Sequence, residues 1–267
     1  MKIEPFLKIL FNKFFLHQHP EAALRYFPVV SAIKKTKLQD AKILEVGSGS
    51  LGITPYLKKK IDAIDIDFSG PKTELVNKIK GSIEKLPFRK NQYDVVIAVD
   101  VLEHVDKNIR PQAILEILKV AKKLAVIVVP VGKLAEKQDR QLDQLWKRTF
   151  QTQNQFFYEH IKNGLPSIDE ILVTIDKSLR KLNKNAKISS YPNLNLSIRN
   201  MLMRTWISKN RYVYYTYMKG YLLLLPILKL TNFGNCYRRV FVIEFLAPQE
   251  LPLEMSMNNS EKSKGKV

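Results

Sequence analysis

LEVGSGSLG, residues 44 to 52, is an apolar strand that runs directly into a glycine loop. Gly47, Gly49 and Gly52 stand at GxGxxG spacing, which lets backbone approach a ligand closely and aims helix N–H groups at it. Working outward, the runs KILEV (42–46), IDAIDI (61–66), YDVVIAV (93–99) and LAVIVVP (124–130) alternate with helical patterns. Continuously apolar strands separated by helices predict a parallel sheet covered on both faces. The expected architecture is α/β: a doubly wound, mostly parallel sheet whose core spans roughly residues 40 to 130, with an N-terminal helix and a C-terminal helical insertion.

Local signals fill in this frame. Thr54 is expected to cap a short helix with Pro55 at its first position, and Asp106 a helix through IRPQAILEILKVA. LAEKQDRQLDQLWKRTF reads as helical and NGLPS (163–167) as a turn, after which Ser167 and Glu170 open SIDEILVTIDKSLRKL in a capping-box pattern. Late strands are expected around AKISSY and VFVIEF, separated by an insertion from Asn193 to Tyr237 that is rich in Tyr, Leu and basic residues. This divides the chain into an amphipathic helical segment at 1–39, one large domain at 40–250 and a loose polar tail at 251–267.

Composition narrows the class. With 267 residues, 45% hydrophobic and 26% charged, the bulk of the chain is globular rather than disordered. One cysteine, Cys236, excludes an internal disulfide framework and fits a reduced compartment. The apolar first twenty residues are interrupted by Lys8, Asn12 and Lys13 and read as an amphipathic helix rather than a signal peptide. YLLLLPILKL, from Tyr221, falls well short of the ~20 residues a spanning helix needs. The expected location is cytoplasmic, with peripheral contact at the inner membrane face. The net charge of +19 is uneven: from Lys177 to Ile243 there are thirteen Lys or Arg and no Asp or Glu. Such an asymmetry concerns partners rather than fold.

The chemistry gathers at strand ends. Asp65 or Asp67, at the end of the second strand, falls where an acidic residue would hold a ribose hydroxyl pair. Glu45, two residues before Gly47, is expected at the tip of the first strand, where its charge would repel a pyrophosphate but suit a ligand carrying an ammonium and a sulfonium. DVLEHV (100–105) ends the third apolar run in carboxylates and a histidine. No metal-ligating set is assigned.

LEVGSGS, AIDID, GSIEKLPF (81–88) followed by YDVV, and DVLEHV, in that order and spacing, resemble a class I S-adenosylmethionine-dependent methyltransferase of the type 11 group. The resemblance covers about residues 41 to 130, with EHIKNGLPS (159–167) a fainter echo. It implies a Rossmann-like fold with S-adenosylmethionine as cofactor. Glu45, Gly47, Ser48 and Gly49 would surround the methionine part and Asp65, with Ile66, the ribose. Ser82 and Ile83 would meet the adenine, and Asp100 would lie beneath the methyl donor. Ser82 departs from the family's usual acidic residue, and Leu51 occupies the place of the third loop glycine.

Methyl transfer from a sulfonium needs mainly in-line positioning in a water-poor pocket, and a base only where the acceptor is a hydroxyl or protonated amine. His104 is the first candidate for that base, either facing the substrate or capping and packing; Glu103, Tyr158 and His160 stand behind it. Trp206 and the tyrosines from Tyr212 to Tyr221, interleaved with basic residues, read as an interfacial surface or as a helix packing face. The favoured acceptor is a small molecule or lipid-linked group, with peripheral contact on an anionic membrane. Nucleic acid is less favoured because Tyr221 to Leu230 is too apolar for its groove. The alternatives are an RNA methyltransferase, an NAD(P)-dependent oxidoreductase and a non-catalytic membrane or nucleic-acid binding module.

Overall fold

The structure is a computed structural model that describes residues 19–246. The expected helix within the first eighteen residues and the tail at 251–267 lie outside the described residues. Among these, helix α1 (Pro20–Lys35) starts with proline in its first turn, where a missing N–H costs nothing, and His19 Nδ1 accepts from the Ala22 N–H at 3.3 Å. β1 (Ile43–Val46), the short α2 (Thr54–Leu57), β2 (Ile61–Asp65), β3 (Val76–Lys80) and β4 (Tyr93–Val99) follow. Then come α3 (Arg110–Val120), β5 (Ala121–Pro130), α4 (Gly132–Phe150), α5 (Gln155–Asn163), α6 (Ile168–Leu182) and β6 (Ala186–Asn195). The chain ends in α7 (Leu196–Trp206), α8 (Arg211–Tyr215), a π-helical turn (Thr216–Gly220), the short α9 (Tyr221–Leu223) and α10 (Leu225–Leu228), and β7 (Cys236–Phe245).

The seven strands form one sheet in the order β3-β2-β1-β4-β5-β7-β6, parallel except for β7, which runs antiparallel to both neighbours. Strand residues alternate between two cores. Val95, Ile97 and Val99 pack with Tyr26, Val29 and Ile33 of α1, while Val96 and Ala98 pack with Ile114 and Ile117 of α3 and Ile171 and Ile175 of α6. Both faces are therefore covered, as continuous apolar strands require. The strand order reverses between β1 and β4, and at such a switch point the loops leaving the carboxyl ends part to form a crevice.

Several local expectations hold and several are corrected. The Ser167 and Glu170 capping box forms as read. β3 was not foreseen: VNKIK buries only Val76 and is an edge strand with a mostly exposed face. α5 was foreseen only as a motif echo. β6 continues to Asn195, so the first residues assigned to the insertion belong to a strand. Thr54 does not cap α2, because its hydroxyl donates to the Leu51 carbonyl at 2.7 Å. Asp106 accepts from the Asn108 N–H at 2.8 Å and so caps the turn before α3 rather than the helix itself. Trp206 is half-buried with its ring 5.0 Å from that of Trp146, a packing contact rather than an interfacial side chain.

Candidate active site

A cleft of about 590 Å³ opens at the carboxyl ends of β1, β2 and β4, a size ordinary for a small-ligand site. Its walls follow from the glycine loop. Gly47 has φ of +72°, and a Cβ there would meet Val101 Cγ2 at 2.3 Å, so only glycine lets the loop lie this close to the end of β4. The Gly49 N–H donates to Asp65 Oδ2 at 2.7 Å, tying the loop to the tip of β2.

The lining carries the carboxylates Asp65, Asp67, Glu84, Asp100, Asp106 and Glu159 and, among the described residues, no Lys or Arg. In a chain of net charge +19 this is a local inversion of sign. A pyrophosphate would be repelled here, whereas a sulfonium and an ammonium would be attracted. The donor set thus fits S-adenosylmethionine. Asp65 spends one bond on Gly49 and one on the Asp67 N–H at 3.1 Å, leaving acceptor capacity toward the ribose end. Asp67 turns its carboxylate on Ser69, accepting from its N–H at 3.0 Å and its hydroxyl at 2.7 Å. That difference favours Asp65 over Asp67 for the ribose. Ile66, Ser82 and Ile83 line the same cleft, and Ser82 Oγ accepts from the Glu84 N–H at 3.2 Å.

Glu45 is placed otherwise than expected. It is fully buried, accepting from the Tyr26 hydroxyl at 2.7 Å and the Ile53 N–H at 2.7 Å. Burial pushes its carboxyl up to about 7 despite those two bonds. A Cβ on Gly52 would stand 2.1 Å from Glu45 Oε2, so this glycine makes room for the carboxylate beneath the loop. Glu45 therefore pins α1 and the loop to β1, and the sign of the cleft is set by the other carboxylates. Ser48 lines a smaller adjoining cavity of about 350 Å³ with His19, Arg25 and Tyr56, sharing Gly49 and Ser69 with the main cleft.

Asp100 follows β4 with φ of +52°, a strained backbone for a non-glycine residue. Its carboxylate accepts from Arg238 Nε at 2.7 and 2.8 Å, from Arg238 Nη2 at 2.6 Å and from Arg25 Nη1 at 3.3 Å. Arg238 also pairs with Glu21. Burial would raise Asp100, but the two guanidiniums hold it below its ordinary value. Two acids, one on α1 and one just after β4, are thus closed by two guanidiniums from α1 and β7, and Asp100 lines the cleft while almost fully buried. None of these partners was legible in the sequence.

Beyond Asp100 the turn Val101 to Val105 is fastened to α5. Arg110 donates to the carbonyls of Leu102, Val105, Asn163 and Gly164, and Asn163 Nδ2 to those of Glu103 and His104. His104 lines the cleft, and its Nδ1 donates to Glu159 Oε2 at 2.6 Å, since an ionised carboxylate can only accept. Burial and the neighbouring His160 lower the His104 imidazole below its ordinary value. Its ring centroid stands 4.9 Å from that of His160 and 5.5 Å from that of Phe156. His160 and Glu103 are buried beside it. Tyr158 is exposed and does not line the cleft.

Residues 44–129 match the family model of a methyltransferase domain of the type 11 group. No curated protein sequence matches the chain significantly. Among solved structures the chain is similar to an S-adenosylmethionine-dependent methyltransferase from Thermotoga maritima, described as a possible histamine N-methyltransferase. The two are 17% identical with a TM-score of 0.47, over 91% of this chain and 99% of that one. It is also similar to the YcgJ protein from Bacillus subtilis, 12% identical with a TM-score of 0.43, over 82% of this chain and 99% of that one. With the glycine loop and the acidic strand tips in place, residues 44–129 carry a methyltransferase domain of the S-adenosylmethionine-dependent kind.

Proposed function

We propose that the enzyme methylates a small apolar or lipid-linked acceptor while docked on an anionic membrane surface. The observation that carries this reading is the segment from α7 to β7, where Tyr212, Leu223, Ile227, Leu230 and Phe233 are each at least 64% exposed. Large apolar side chains left open together are the mark of a contact surface rather than of solvated polypeptide. Exposed Arg204, Lys209 and Lys229 lie in the same stretch, which has no acid to oppose them. No helix among the described residues is long and apolar enough to cross a membrane, so the contact in this reading is peripheral. The segment adjoins the cofactor side of the molecule: the Tyr217 hydroxyl is 3.1 Å from His19 Nδ1, and His19 lines the cavity next to the glycine loop.

S-adenosylmethionine brings a methyl group already made electrophilic by its sulfonium. Asp65 is placed for the ribose hydroxyls and the backbone of Ser82 and Ile83 for the adenine, while Arg25, in the smaller cavity, is placed for a carboxylate. The acceptor end is the wall formed by His104, Val105, Ile109 and Glu159. Because Nδ1 of His104 is held by Glu159, its Nε2 carries the lone pair. That atom can take a proton from an acceptor or hold the group that acidifies it. Carboxylates at this end oppose a phosphodiester backbone, which supports the apolar acceptor over RNA.

Label transfer from methyl-labelled cofactor into a lipid extract, run beside total RNA, tests the acceptor. Lipid-soluble label is expected; label confined to RNA contradicts it. Vesicle co-sedimentation tests the docking. Binding to phosphatidylglycerol vesicles should weaken with salt yet persist, because screening removes the cationic contribution and leaves the apolar one. Replacing Leu223, Ile227 and Leu230 with serine should abolish the salt-resistant part.

A further inference from the structure

We propose that Glu103, His104 and His160 form a binding site for one divalent transition-metal cation at the acceptor end of the cleft. The proposal rests on the methyltransferase reading for its role and on side-chain geometry alone for its existence. One ligand atom from each residue lies within 4.8 Å of the others. Donor atoms around a metal at about 2.1 Å stand roughly 3 to 4 Å apart, so the three need only a modest contraction to share an ion.

Their state of satisfaction points the same way. Glu103 and His160 are fully buried, yet both Glu103 oxygens and His160 Nε2 have no hydrogen-bond partner among the described residues. Glu103 Oε1 and His160 Nε2 are 3.9 Å apart, too far for a hydrogen bond and close enough for two ligands of one ion. Buried polar atoms are almost always paired, and a pair of orphans facing each other calls for a guest.

The two imidazoles are also aimed. His160 Nδ1 donates to Asp139 Oδ2 at 2.8 Å, and Asp139 is fixed by Arg199 Nη2 at 2.7 Å and the Tyr237 hydroxyl at 2.8 Å. His104 Nδ1 donates to Glu159. Each ring therefore has its Nδ1 proton held by a carboxylate and its Nε2 left as a lone pair, the arrangement that orients metal-bound histidine and raises its basicity. Two imidazoles and one carboxylate suit Zn²⁺, Mn²⁺, Fe²⁺ or Co²⁺ rather than Ca²⁺, which takes an all-oxygen shell. His104 lines the cleft, so the open coordination positions face the acceptor and select one with an oxygen donor. In this account His104 is a ligand, and Asp139 and Glu159 are positioning residues.

The test is titration of the metal-stripped full chain with Co²⁺, read by its visible absorption and by equilibrium dialysis. One Co²⁺ per chain is expected, displaced by Zn²⁺. Glu103→Gln and His104→Gln should each abolish the visible band, and Asp139→Asn and Glu159→Gln should weaken binding on the order of 10- to 100-fold. His104→Gln alters a partly exposed side chain, so it keeps the test valid should the buried variants fold poorly. Calorimetric binding of S-adenosylmethionine to the same samples reads the methyltransferase site separately from the cation. No saturable Co²⁺ band in the wild-type chain, or an unchanged band in His104→Gln and Glu103→Gln, overturns the proposal.

Discussion

Two clusters of titratable side chains sit side by side at the end of β4, three residues apart in sequence, and they are built on opposite plans. The first, Asp100 with Arg238, Glu21 and Arg25, is closed: each carboxylate is met by a guanidinium, and α1, β4 and β7 are locked together. The second, Glu103 with His104 and His160, is open: its histidines are held from behind by Asp139 and Glu159, while both Glu103 oxygens and His160 Nε2 have no hydrogen-bond partner among the described residues. Burial costs both clusters alike. A closed cluster offsets that cost internally and so supports the fold, whereas an open one needs a ligand to do so and supports function.

The largest expected effect lies in the closed cluster. Arg238→Met should lower unfolding free energy by about 3–5 kcal/mol, because it leaves two buried carboxylates without their main partner. A midpoint in urea unchanged from wild type would show that the network is decorative. The same cluster sets the acid limit. Although burial raises Glu21, Arg238 and Arg25 hold it at about 2 against an ordinary 4.5. Its folded value is depressed, so its contribution is present above pH 4.5 and is lost as pH falls toward 2. His19, lowered to about 4 from 6.5 chiefly by burial, erodes stability in the same direction between those two values. Glu45 opposes it, since a folded value of about 7 makes its contribution decline as pH rises from 4.5 to 7. Urea midpoints should therefore fall most clearly below pH 4.5, and Arg238→Met should flatten that fall. An equally steep limb in the variant would place its cause elsewhere.

Next in size is the cofactor contact. Asp65→Ala should cost about 2–3 kcal/mol of S-adenosylmethionine binding by calorimetry through loss of charge-assisted ribose bonds. Asp67→Ala should cost much less, because its carboxylate already serves Ser69. The reverse ranking would move the ribose to Asp67. Smallest is Ser82→Asp, expected to tighten cofactor binding by under about 1 kcal/mol by adding an acceptor at the adenine end. Unchanged or weaker binding would turn Ser82 away from the adenine.

What the sequence made legible was whatever is encoded locally. The apolar runs 93–99 and 61–65, the glycine spacing and the Ser167 box depend on residues a few positions apart, and each reappears in the fold. Glu45 was misread because its partner Tyr26 lies nineteen residues upstream on another element. β3 was missed because an edge strand lacks the continuous apolar run that marked its neighbours. The basic stretch misled in a different way. Of its thirteen cations, Arg199 and Arg238 are buried in ion pairs, and Lys184 donates to the carbonyls of Leu118 and Ala121. Net charge counts them as surface; the fold uses them as internal counter-ions. The acidic lining was legible only in part: Asp65, Asp67 and Asp100 stood at strand ends, whereas Glu84, Asp106 and Glu159 come from separate elements.

The contrast between closed and open clusters is tested most directly by one variant, Glu103→Gln, measured for both label transfer and stability. The account predicts that wild-type protein moves labelled methyl from S-adenosylmethionine into a lipid extract, and that Glu103→Gln loses this transfer while keeping its unfolding free energy within about 0.5 kcal/mol of wild type. A variant that unfolds easily yet transfers label at the wild-type rate per folded molecule would contradict it, making Glu103 a structural residue.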